Sequence, residues 1–113
     1  MTKFVFPTKE QLSYISPVES GFEDSEYLTI LSCIGQEIDS VDIIQNPYLD
    51  NENKFMEMCK DEHINVVMSP KKNHLPIKEL QENGISVYKV DTNKKVLNIF
   101  SDFVQDKLER LNS

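Results

Sequence analysis

The chain alternates between short unbroken apolar runs and longer stretches with helical spacing. Phe4-Val5-Phe6 offers nothing polar to either face, so Lys3 to Phe6 reads as a strand buried on both sides, stopped by Pro7. Val66-Val67-Met68 repeats the pattern within Asn65 to Ser69 and is stopped by Pro70. Tyr27 to Cys33 is rich in β-branched and aromatic residues, which suit a pleated surface. Gly35-Gln36 then supplies a hairpin turn into Ile38 to Ile44, and Asn46-Pro47 closes that strand. Ser86 to Val90 is the fifth strand. The polar stretch Thr8 to Ser25, broken by Pro17 and Gly21, reads as a long loop of the kind that carries function or moves.

Three segments have helical spacing. Asp50 or Asn51 can cap a helix to about Glu62, with Phe55, Met56, Met58 and Cys59 inward. Leu75 to Asn83 turns Ile77 and Leu80 inward, and Gly84 suits the left-handed position at its end. Asp91 or Thr92 would cap a last helix with apolar positions Val96, Leu97, Phe100, Phe103, Val104, Leu108 and Leu111. The expected core is Phe55, Cys59, Val66, Val67, Ile77, Leu80, Val87, Val96, Phe100, Phe103 and Val104. The order β-β-β-α-β-α-β-α predicts one domain over residues 1–113, a three-layer α/β/α fold with a five-stranded mixed sheet. Within it the strands starting at Lys3 and Asn65 should be adjacent, parallel and central.

Composition narrows the function. Nineteen acidic against twelve basic residues give a net charge of −7, which repels phosphate backbones and argues against nucleic-acid binding. No apolar run approaches the ~20 residues that cross a bilayer, and the N-terminus lacks the apolar stretch and cleavage site of a signal peptide. The expectation is a cytoplasmic protein without a membrane partner. Cys33 and Cys59 lack C-x-x-C spacing and are too few for a four-ligand zinc or cluster site, so both read as small core residues. The Met56/Met58 pair likewise reads as helix packing. No Ser-His-Asp, Cys-His or P-loop arrangement stands out, and the expectation is a non-enzyme.

Three blocks resemble the dinitrogenase iron–molybdenum cofactor biosynthesis family, the NifX-like carriers and their relatives. Ser16-Pro17-Val18, then Phe22 and Tyr27-Leu28, resembles the family's S-P-V/I-x-x-x-F-x-x-x-x-Y/F run. Ile43-Ile44-Gln45-Asn46-Pro47 resembles its V-I-x-N-P strand end. Ile64 to Met68 and Lys78 to Tyr88 resemble its V-D-V-V-I…A-L-K-E-A-G-I-K-V-Y without a gap, the most specific of the three. The resemblance implies a ribonuclease-H-like motif, a non-enzymatic role in binding or carrying an iron–molybdenum or iron–sulfur cluster, and a client protein as partner. Where the family has H-F-G, the chain has Gly21, Phe22 and Glu23; where it has G-N-I-G-P, the chain has Pro70 to His74. His63 stands where the family often has glycine. These departures keep a second reading in play: a diverged interaction or regulatory module that has lost cluster binding.

Ligands of open α/β sheets sit beyond the carboxyl ends of the strands. The loops after the first and fourth strands, Pro7 to Phe22 and Ser69 to Leu75, should converge there. Lys71, Lys72, Asn73 and His74 would bring two ammonium groups, an imidazole and a helix N-terminus to an anion. Ser20, Glu19 and Glu23 are the candidates to complete the pocket, and His74 is the candidate metal ligand. A ribonuclease-H-like nuclease is rejected, because paired cations need carboxylates on the central strands and Phe4-Val5-Phe6 and Met68-Ser69-Pro70 have none.

Overall fold

The computed structural model describes residues 1–19, 21–49, 51–70 and 75–111. The chain forms one mixed sheet of strands β1 (Thr2–Thr8), β2 (Tyr27–Ile34), β3 (Glu37–Gln45), β4 (Val66–Ser69), β5 (Ser86–Lys89) and β6 (Glu109–Leu111). Its helices are α1 (Glu52–Asp61), α2 (Ile77–Glu82) and α3 (Val96–Val104). The strand order is β3-β2-β1-β4-β5-β6. As expected, β1 and β4 are central, adjacent and parallel, with Phe4 beside Val66 and Val5 beside Val67.

The alternation of side chains along β1 explains the two apolar layers. Val5 points to one face, where Leu28 and Ile30 of β2 meet Phe55 and Cys59 of α1 and Leu80 of α2. Phe4 and Phe6 point to the other, where Leu31 and Met68 meet Val96, Ile99 and Phe100 of α3. An unbroken apolar run is what a strand covered on both faces requires. Every expected core residue is buried except Phe103 and Val104, which are partly buried against α3's layer. Ile99, fully buried, belongs in that layer, whereas Leu97 is 37% exposed. The helix therefore turns its Val96–Ile99–Phe100–Phe103 stripe to the sheet.

Four expectations need correction. The sheet has six strands, not five: α3 ends at Val104, and Glu109–Leu111 returns as an edge strand antiparallel to β5, with Leu111 opposite Val87. The spacing of Val104, Leu108 and Leu111 mimics a continuing helix, but a left-handed Asp106 (φ 57°) breaks it. Second, β1 continues through Pro7 to Thr8. The Pro7 carbonyl accepts from Glu19 N at 2.8 Å, so the edge on which the proline lacks an N–H faces that loop, and the pairing with β2 does not need it. Third, α3 begins at Val96 without a side-chain cap, because Lys94 and Lys95 are held as extended backbone against Val18 and Pro17. Fourth, α2 begins at Ile77 rather than Leu75. At α1, Asn51 is the cap: its Oδ1 accepts from Asn53 N at 2.8 Å.

All three described helices end in the same way. The residue after the C-cap is left-handed: His63 (φ 56°), Gly84 (φ 77°) and Asp106 (φ 57°). The next N–H reaches back to the carbonyl of the last turn, Ile64 to Cys59, Ile85 to Leu80 and Lys107 to Asp102, each at 2.9 Å. This is the Schellman arrangement, which glycine enters most cheaply. Replacing His63 with glycine should raise the unfolding free energy by ~0.5–1.5 kcal/mol, since a left-handed residue with a Cβ costs roughly 1–2 kcal/mol and glycine's larger unfolded-state entropy offsets part of that. Guanidinium denaturation checks this, and a stability loss would mean that the imidazole makes a contact of its own.

Candidate functional site

Beyond the carboxyl ends of β1 and β4, the described backbone forms a bridge. Beside Pro7 and Thr8, the position that β4 would occupy is taken by Val18 and Glu19. Val18 N donates to Lys94 O at 2.9 Å, Asn93 N donates to Val18 O at 2.8 Å, and Glu19 N donates to Pro7 O. The S-P-V segment thus stitches the end of β1 to the turn before α3, across the end of β4. Below it, the Thr8 and Thr29 hydroxyls are buried and hydrogen-bonded to each other at 2.9 Å.

The next stretch is anchored by Asn46. Its Nδ2 donates to Phe22 O at 2.7 Å and Ser25 O at 2.9 Å, and its Oδ1 accepts from Tyr48 N at 3.0 Å. Ser25 Oγ donates to Gly21 O at 2.6 Å. Phe22 packs on Phe55 with ring centroids 4.8 Å apart. The Phe and Asn of the two sequence blocks are therefore one structural unit, which holds the 21–25 turn on the α1 side of the sheet. Glu23 folds back over Gly21: a Cβ there would stand 2.8 Å from Glu23 Oε1, and a side chain would push the carboxylate aside.

Of the expected site residues, Glu19 and Glu23 do lie at this end, both partly buried. Ser20, Lys71, Lys72, Asn73 and His74 lie outside the described residues. The described part presents carboxylates, and the Glu19 N–H is already donated to Pro7. His63 lies at the other end of the sheet, before the start of β4, exposed beside Lys60, Asn65 and Asn83 in an open cleft of about 300 Å³.

Neither thiol is a ligand in waiting. Cys59 is 1% exposed, and burial pushes its pKa up to about 12. Cys33, 2% exposed, is also pushed up by burial, and it lies in the opposite core layer. Thiolate is the reactive and metal-binding form, and both sites suppress it. Among the described residues, no three His, Cys, Asp or Glu side chains come together as a metal site. An aromatic disulfide reagent at pH 8 should accordingly leave both thiols unmodified in the folded protein and titrate both after unfolding. A fast native thiol would contradict this placement.

The sequence reading missed a second cleft, of about 510 Å³, lined by Lys89, Asp91, Lys94, Asp102, Lys107 and Glu109 among others. Taking residues 105–111 as helix hid it. Lys94 and Asp102 are paired by a hydrogen bond, which pushes the lysine pKa up from its usual range. Three ammonium groups against three carboxylates leave the cleft without a charge preference. No described helix is long and apolar enough to cross a membrane.

No family model and no curated protein sequence matches the chain. Solved structures match its fold over nearly its whole length. A candidate NifB protein from Thermotoga, of the DUF35 family, superposes with a TM-score of 0.81 at 18% identity, covering 100% of this chain and 96% of its own. The apo form of the orange protein from Desulfovibrio gigas gives 0.80 at 13% identity, covering 100% and 95%. A candidate dinitrogenase from Methanocaldococcus jannaschii gives 0.72 at 16% identity, covering 98% and 95%. At such identities the likeness is one of fold, and the chain has the fold of these NifB- and dinitrogenase-like proteins.

Proposed function

We propose that the chain is a non-enzymatic accessory protein that takes an iron–sulfur or iron–molybdenum type cluster as cargo and presents it to a client protein. The observation that carries this reading is that the three sequence blocks lie on a chain whose fold is shared with the NifB- and dinitrogenase-like structures. The ribonuclease-H-like motif implied by those blocks belongs to the same reading. The cargo site in this reading is the carboxyl end of β1 and β4, with Lys71, Lys72, Asn73, His74, Ser20, Glu19 and Glu23 as its candidate contacts. His74 is the metal contact. The buried thiols make this a docking surface for a preformed cluster rather than a cysteine-ligated centre.

A second reading, a diverged interaction or regulatory module without cargo, draws on one observation in the sequence: Gly21, Phe22 and Glu23 stand where the resembling family has H-F-G, so its histidine is replaced. Titration of the apo-protein with an iron–sulfur or molybdenum-containing cluster separates the two. The cargo reading expects binding that His74→Ala weakens and His63→Ala leaves nearly unchanged. Equal affinity of all three proteins removes His74 from the site, and no binding by wild type favours the interaction module.

A further inference from the structure

Asn83-Gly84 is the one Asn-Gly pair in the sequence, and it stands at the exposed end of α2. The pair carries a chemistry of its own. Once the Gly84 nitrogen loses its proton to base, it can attack Asn83 Cγ. The new C–N bond closes a succinimide ring, the Cγ–Nδ2 bond breaks and ammonia leaves. Water then opens the ring at either carbonyl, giving aspartate or, with the main chain rerouted through the side chain, isoaspartate. A side chain on the following residue hinders the attack, and glycine has none. Every other asparagine in the chain is followed by a residue with a side chain.

The fold restrains both reacting groups. Gly84 N donates to Gln81 O at 3.0 Å, and Asn83 Nδ2, the leaving group, donates to Glu79 O at 2.8 Å. Asn83 has a ψ of 14°, which turns the Gly84 nitrogen away from the Asn83 side chain, and ring closure needs it on that flank. The left-handed Gly84 (φ 77°) and the Ile85 N bond to Leu80 O at 2.9 Å fix this arrangement. The same glycine that invites the reaction makes the turn that restrains it. Yet Asn83 and Gly84 are both exposed, and a Cβ on Gly84 would meet nothing within 4 Å. The helix has six residues and no side-chain cap at its start, and so short a helix has little stability of its own. Its last turn can open while the sheet stays folded. Three ordinary hydrogen bonds favour the closed turn by a factor of about 100.

We propose that Asn83 is a site of spontaneous deamidation, reached through local opening of the last turn of α2 and not through global unfolding. The product is a new carboxylate beside Lys60 and His63 in the cleft at this end of the sheet. As isoaspartate it also lengthens the main chain at the C-cap, so the turn cannot regain its hydrogen bonds and the change is one-way.

Peptide mapping by mass spectrometry, with isoaspartate resolved from aspartate, tests this on the full chain held at mildly alkaline pH, folded and in guanidinium. Asn83 should react first in both states, and ~100-fold more slowly in the folded one. Two variants that lower global stability by similar amounts separate the routes: Glu79→Gly, at an exposed position of α2, and Ile99→Val, in the core layer on the other face of the sheet. Glu79→Gly should speed the folded-state reaction ~5-fold, and Ile99→Val should leave it within ~2-fold of wild type. Neither should change the rate in guanidinium. Acceleration by both variants alike, or by neither, overturns the proposal, as does a folded chain that reacts as fast as the unfolded one or not at all.

Discussion

Replacing Asn46 with alanine is expected to lower the unfolding free energy by ~3–5 kcal/mol, because one buried side chain satisfies three backbone groups. Asn46 is 5% exposed, and its amide ties Phe22 O, Ser25 O and Tyr48 N together. Alanine would take the Asn46 amide from Ser25 O and Tyr48 N and leave Phe22 O with only the long 3.5 Å bond from Ser25 N, in a place water reaches poorly, at a cost of ~1–3 kcal/mol for each group left unsatisfied before relaxation. The damage should also be local in kind: the 21–25 turn loses its tether to the end of β3, and Phe22 loses its fixed position against Phe55. Urea denaturation measures the first effect, and hydrogen exchange at Ser25 and Tyr48 the second. A loss under about 1 kcal/mol, the range of an ordinary surface change, would show that Asn46 is not the hub described.

The second large effect is Phe100→Ala. Phe100 is 6% exposed and meets Phe4 edge-on, with ring centroids 5.5 Å apart and planes at 83°. It links α3 to the central strand, so truncation removes apolar burial and opens a cavity between rigid elements. The expected cost is ~3–5 kcal/mol. Leu97→Ala, three residues earlier on the exposed side of the same helix, should stay within about 0.5 kcal/mol. Comparable losses at the two positions would mean that the helix presents a different face to the sheet.

How far the sequence was legible depended on whether structure was made locally. The strands β1, β2, β4 and β5 and the inward faces of α1 and α2 were readable, because each is written in a run of adjacent residues. Helix ends were harder. Of three left-handed C-terminal positions, only that at Gly84 carries the residue that signals it; His63 and Asp106 adopt the same conformation without the cue. The missing cue at Asp106 is why Leu108 and Leu111 passed for helix and the sixth strand was missed. A three-residue strand is also too short to display alternation.

The candidate site suffered from a different difficulty. That β1 and β4 lie side by side followed from their apolar runs and the order of the elements. That Val18 and Glu19 occupy the place beyond β4, held by Pro7 and Lys94, depends on contacts far apart in sequence and on backbone groups common to every residue. Asn46 was read as a strand stop and as part of a resemblance but not as a hub, since nothing local shows that its amide reaches back across twenty-four residues to Phe22.

Amide NMR of the labelled chain during titration with an iron–sulfur or molybdenum-containing cluster tests the cargo reading most directly. The account predicts saturable shifts or broadening concentrated at Glu19, Gly21 to Glu23 and Ser69, with the cleft around His63 and Gly84 unaffected. Changes centred instead on His63 and Gly84, or a spectrum that no cluster perturbs, would contradict it.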